Sequence, residues 1–152
     1  MANPIGEALL LAMTDRRFTI ASSDDDATVR EFYRAYAEQD GATLLKVMSE
    51  DLEVHVSGNH PLSGDYRGRE EVFGYIGKVG AWTGGEGGFA VDAVLTDEEG
   101  HVAAIVTATG FHDGVKFERP VVHLLTLRDG VIVDYRDLPF DQHAEDAFFA
   151  GA

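Results

Sequence analysis

Two histidines and one aspartate stand where the pattern of the chain can make a side chain into a proton carrier. His55 sits in a short alternating run, with Val54 and Val56 on one parity and Glu53 and His55 on the other. That run breaks at Gly58, Pro61 and Gly64, and a helical pattern opens at Arg69. A strand therefore delivers His55 close to a loop, and the expectation is that it looks into a pocket. Imidazole titrates near neutrality, which suits a base that removes a proton next to a carbonyl. His123 lies in a long apolar run and shares parity with Arg119, Val121 and Leu125. Asp137 ends the last apolar run, with Tyr135 on its side and Pro139 just beyond. Tyr33 belongs to a helical stripe, and a buried phenol needs a hydrogen-bond partner, which a developing oxyanion can supply. His55, Asp137, Tyr33 and His123 are the expected catalytic groups. Tyr36, His60, Tyr66, Trp82 and Arg119 are the expected substrate-binding wall. Each has a plainer reading beside it. His55 is a solvated histidine if the valines face the core, His123 a satisfied core residue, Asp137 a cap or turn residue, and the tyrosine stripe mere packing.

The elements that must hold these groups can be read in order. Ile5, Ala8, Leu9 and Ala12 have helical spacing, so residues 1–24 are expected to be an N-terminal extension with a short helix. Asp24, Asp25 and Asp26 then supply an acidic first turn for a main helix, on which Val29, Phe32, Tyr33 and Tyr36 fall at i, i+3, i+4 and i+7. Leu44, Leu45, Val47 and Met48 predict a second short helix ending near Asp51. A third runs over residues 69–82, and the glycine pairs at 84–85 and 87–88 stop it. Four strands follow, with hairpin turns at Asp113-Gly114 and Asp129-Gly130. Pro120 interrupts the longest of them and predicts an edge position or a bulge. Residues 139–149 predict a terminal helix. Helices first and an antiparallel meander second make one α+β domain over residues 25–152, with a curved sheet that opens at one end as a cone.

Composition narrows the function. The 152 residues suffice for one domain with a real core, and 45% hydrophobic with 26% charged residues is ordinary for a water-soluble globular chain. The net charge of −15, from 27 acidic and 12 basic residues, argues against nucleic acid or an anionic membrane as partner. Without cysteine there is no disulfide, thiolate nucleophile or thiolate metal site. The six histidines lack the helical spacing of zinc enzymes, and the glycine-rich stretch at 84–88 follows a helix, so neither a metal nor a phosphate-binding loop is expected. No apolar run reaches the roughly 20 residues of a membrane span, residues 8–13 do not read as a signal peptide, and the cytoplasm is the expected location.

The order of elements resembles the SnoaL-like polyketide cyclases, within the wider ketosteroid isomerase and nuclear transport factor 2 fold group. The likeness is carried by residues 29–40, the turn His60-Pro61-Leu62-Ser63-Gly64-Asp65-Tyr66-Arg67-Gly68-Arg69-Glu70-Glu71, the ending at 127–137, and the aromatic tail at 140–149. The resemblance implies a cone-shaped α+β barrel and a cofactor-independent enzyme of the isomerase, cyclase or dehydratase kind. It would act on a small apolar carbonyl compound. Aligned on Pro61, His55 falls where ketosteroid isomerases carry their aspartate base. Aligned on the Asp129-Gly130 turn, His123 falls at their acidic oxyanion-hole residue, while alignment on Pro120 puts Val122 there. Their oxyanion-hole tyrosine falls near Phe32, beside Tyr33. Tyr135-Arg136-Asp137 is similar to the ending of limonene-type epoxide hydrolases, but Ala104 and Val106 stand near that family's Arg-x-Asp pair, so epoxide hydrolysis is not expected.

Two other readings stay open at this level: a non-catalytic small-molecule-binding domain, and an assembly module working through the outer face of its sheet. A homodimer through that face is expected on every reading. Phe117, or Val122 with Leu124, would be exposed there.

Overall fold

The computed structural model describes residues 24–152. The expected helix around Ile5 to Ala12 lies outside them. Helix α1 spans Asp24–Glu38 and helix α2 Gly41–Val47. Asp40 separates the two by capping α2, its carboxylate accepting from the Thr43 backbone N–H. Strand β1 (Met48–Val56) follows at once. The stretch 48–51, read from the sequence as the end of a helix, is therefore strand. Met48 is fully buried in the sheet's inner layer, so tertiary packing overrides the local helical spacing. Strand β2 (Gly64–Arg67) was read from the sequence only as a turn. It pairs antiparallel with β1, placing Asp65 opposite His55.

Helix α3 (Gly68–Trp82) leads into four long strands, β3 (Gly88–Thr96), β4 (His101–His112), β5 (Val115–Arg128) and β6 (Val131–Pro139), and helix α4 (Gln142–Phe148) ends the fold. The sheet order is β2-β1-β6-β5-β4-β3. Only β1 and β6 run parallel. The two Asp-Gly hairpins turn as the sequence predicts, with φ of 49° and 77° at Asp113-Gly114 and 51° and 77° at Asp129-Gly130, both residues left-handed. Register shifts at Val91/Ala93, Thr126/Leu127 and Met48/Glu53 bend the sheet into an unclosed trough.

Pro120 sits neither at an edge nor in a bulge. It lies in β5, opposite Thr107 of β4. Its carbonyl accepts from the Phe140 N–H on the β6 side, so its nitrogen faces that side too, where the β6 ladder has just ended. The missing donor leaves that pair with a single bond, at the point where the β5–β6 ladder ends.

The core fills the concave side. Val29, Phe32, Tyr33 and Ala35 of α1 pack against Val102, Ala104 and Val106 of β4, Val121 and Leu125 of β5, and Ile132 of β6. The same parity of β5 carries His123 into this apolar layer, where it is 1% exposed. A buried imidazole is costly unless bonded, and its bonds define the site.

Candidate functional site

Three polar side chains meet on the concave side of the sheet. Register does the first part: His123 of β5 and Asp137 of β6 are direct cross-strand partners. Helix α1 does the second, bringing the Tyr33 hydroxyl to 2.6 Å from His123 Nδ1. His123 Nε2 lies 3.4 Å from Asp137 Oδ1, longer than a well-formed hydrogen bond. Electrostatics fix the tautomer. A carboxylate faces Nε2, so that nitrogen carries the proton, Nδ1 accepts, and the Tyr33 hydroxyl donates to it. Burial, with Asp137 close by, pushes the Tyr33 phenol up, so the donor keeps its proton. Neither His123 Nε2 nor Asp137 Oδ1 has a full hydrogen bond among the described residues.

Asp137 opens onto an apolar cavity of about 60 Å³, lined by Phe32, Met48, Leu52, Val54, Phe89 and Ile132 among others, with Tyr36, Tyr75 and Tyr135. The hydroxyls of those three tyrosines make no hydrogen bond with any described residue. Burial pushes all three phenols up, with the Asp137 charge adding to it for Tyr75 and Tyr135. One carboxyl group and three unpaired O–H donors thus share one small, mostly apolar space. Tyr36, Ile76, Val79 and Phe89 are also walls of a larger vestibule of about 360 Å³, which reaches Thr83, Thr109, Arg119 and Phe149. The vestibule has the volume of a ligand site.

The structure therefore brings together Asp137, His123, Tyr33 and Tyr36. Sequence reasoning missed Tyr75, because the α3 apolar side was read as Val72, Phe73, Ile76 and Val79. Tyr75 would have been found by asking where the α3 phenol adjacent to that stripe could be satisfied.

His55 is not at this site, which corrects the expectation that it faces the pocket. Val54 and Val56 take the inner face, so the opposite parity turns His55 outward. There Nδ1 lies 2.7 Å from Asp65 and Nε2 2.9 Å from Asp134, with Glu53 at 3.7 Å. Glu53, His55 and Asp134 are close enough to share a cation, as are the exposed Asp97, Glu99 and His101. Neither group faces the cavity, and Arg67 and Arg136 already sit beside the first.

His60, Tyr66 and Trp82 are also outside the lining. Tyr66 donates to the Leu62 carbonyl and packs 4.7 Å from Tyr75, bracing it from behind. Trp82 is held elsewhere: its indole donates to the Phe148 carbonyl and its ring stacks on His112 at 3.5 Å. Arg119 does line the vestibule and is paired with Glu145 of its own chain. Asp137 is not a helix cap. Asp141 caps α4 instead, accepting from Ala144 N–H.

His60 is buried against Phe149 rather than set in a substrate-binding wall. Its Nδ1 accepts from the Leu62 N–H, and burial holds the imidazole below its ordinary 6.5. The unfolded chain then takes up a proton at a pH where the folded chain does not, so stability falls as pH drops through 6.5. Thermal melts of wild type and His60→Phe from pH 7.5 to 5.0 should show a steeper acid loss in the wild type. Parallel curves would mean His60 contributes nothing to the acid sensitivity.

The architecture has a known counterpart. The SnoaL-like domain family model matches residues 29–135, and the chain belongs to that family. An uncharacterised protein of Mycobacterium tuberculosis is 29% identical over 129 residues, covering 83% of this chain and 98% of its own. Bal32a, from a soil-derived mobile gene cassette, superposes with a TM-score of 0.80 at 28% identity, covering 83% of this chain and 96% of its own. IdmH of Streptomyces antibioticus, a candidate polyketide cyclase, shares the fold with a TM-score of 0.64 at 21% identity, over 78% of this chain and 93% of its own. Among the described residues no helix is long and apolar enough to cross a membrane.

Proposed function

We propose that the protein is a cofactor-independent acid–base enzyme of the isomerase, cyclase or dehydratase kind, acting on a small carbonyl compound. The observation that carries this is the Asp137 side chain, which lacks a full hydrogen bond among the described residues and lines an apolar cavity with three unpartnered phenols. The carboxylate accepts a proton from the carbon next to the substrate carbonyl. Tyr36, Tyr75 and Tyr135 donate to the enolate oxygen as charge moves onto it, and between apolar walls such donors are worth more than in water. His123, held by Tyr33, positions Asp137. The proton is then returned to a different carbon, or the enolate attacks a second carbonyl. Membership of the SnoaL-like family supports this class of chemistry.

The test is exchange of α-protons for deuterium, followed by NMR on aryl ketones and cyclic 1,3-diketones. Exchange above the buffer rate that disappears with Asp137→Asn supports the enzyme. Binding without exchange supports a ligand-binding domain instead.

The outer sheet face is assigned to a second copy of the chain. Leu95, Leu124 and Leu138 are 60%, 40% and 39% exposed there, while Phe117 is taken up by stacking on Phe148. Light scattering after size exclusion should give twice the chain mass, and Leu124→Glu should halve it. A monomeric wild type would sink the assignment.

A further inference from the structure

The vestibule carries a second polar anchor that the chemistry at Asp137 does not use. Arg119 lies on β5, on the same inward parity as His123, four residues away. Its guanidinium is locked. Glu145, 3% exposed, takes Nε and Nη2 in a forked pair, and the ring of Phe117 lies 4.9 Å from the guanidinium carbon, with Phe149 at 5.6 Å and Phe148 at 6.0 Å. Nη1 makes no hydrogen bond with any described residue, and it is not among the polar atoms shut away from solvent. Arg119 is the one cationic side chain in the combined lining of inner cavity and vestibule among the described residues. A guanidinium fixed on one edge by a buried carboxylate, between aromatic rings, presents its remaining donor at little further entropic cost.

We propose that Arg119 Nη1 is a ligand-binding group for an acceptor oxygen, a carbonyl or a carboxylate, at the far end of the molecule whose reacting carbonyl sits at the tyrosines. This rests on the proposed function only in placing the reacting end. Arg119 and His123, which faces Asp137, are four positions apart on β5, so their backbones stand about 13 Å apart. The walls between them include Tyr36, Phe73, Ile76, Val79 and Phe89. The ligand is therefore an elongated, flat, mostly aromatic compound with oxygen at both ends. Glu145 offsets the charge of Arg119, so the subsite reads a hydrogen-bond acceptor first and a negative charge second.

Three probes of matched shape test this by quenching of Trp82, the only tryptophan, or by calorimetry. They are 4-acetylbiphenyl, 4,4′-diacetylbiphenyl and 4′-acetylbiphenyl-4-carboxylate. The two probes with oxygen at both ends should bind wild type roughly tenfold or more tightly than the first, as a bond to a charged donor implies. The preference should vanish in Arg119→Leu/Glu145→Leu and shrink in Arg119→Lys, which keeps the charge and loses the fork. Affinity for 4-acetylbiphenyl should stay within about twofold throughout. A larger gain for the carboxylate than for the diketone identifies an acidic ligand, and equal gains a neutral one. No preference in wild type, a preference that survives the double variant, or failure of all three probes to bind overturns the subsite. Binding is read here without turnover, so loss of the Arg119 preference and loss of Asp137-dependent exchange are separate results.

Discussion

Asp137→Asn is expected to abolish α-proton exchange, lowering its rate by about 10²–10⁴-fold, the usual loss when a positioned general base is removed. Asparagine keeps the shape and the contact with His123 but cannot accept the proton. The fold should tolerate the change, because the substitution removes a charge from an apolar site and leaves no new gap. The melting temperature is thus expected to hold or rise while the rate collapses. Single Tyr36→Phe, Tyr75→Phe and Tyr135→Phe variants separate the donors. Removing one oxyanion donor costs about 10²–10³-fold where it is used. A donor whose loss changes nothing is a wall residue. If Asp137→Asn exchanges at the wild-type rate, the carboxylate is not the base.

Arg119→Met is expected to destabilise the domain by about 3–5 kcal/mol, because it leaves the Glu145 carboxylate buried without its partner. Glu145 is buried, its side chain 4% exposed, and Arg119 is 14% exposed, so solvent screening softens the loss only in part. For a domain of this size that is a fall of roughly 10 °C in melting temperature. Burial already pushes the Glu145 carboxyl above its ordinary 4.5, against the opposing pull of Arg119. Without the arginine the carboxyl escapes by taking a proton, so the penalty shrinks as pH falls. Arg119→Leu/Glu145→Leu should recover most of the stability, since two apolar side chains avoid the desolvation that both ions incur. Chemical denaturation of wild type, Arg119→Met and the double variant at two pH values checks the sign. An Arg119→Met protein as stable as wild type would mean that Glu145 is neutral in the folded chain.

The family resemblance and the pattern of apolar residues together made the fold class legible. The i, i+3, i+4, i+7 stripe of α1, the glycine stop after α3 and the two Asp-Gly hairpins each matched a local rule with a local cause. The misreadings share another cause. Met48 to Asp51 carries no local mark of a strand and becomes one because β6 lies beside it. Residues 64–67 look like a turn until β1 offers a ladder.

The candidate site divides along the same line. The chain itself determined which residues could do proton chemistry, since residue type fixes the donors and acceptors, and strand parity placed His123 with Val121 and Leu125. Parity cannot say which side of a sheet is inside. That depends on where α1 and α3 pack, and they chose the side of Val54 and Val56, turning His55 out to Asp65 and Asp134. The meeting of Tyr33, His123 and Asp137 spans more than a hundred residues of chain. Only the β5–β6 register and the seating of α1 on the sheet could decide it, because side chains so far apart in sequence meet only once the curved sheet has formed and α1 has packed into it.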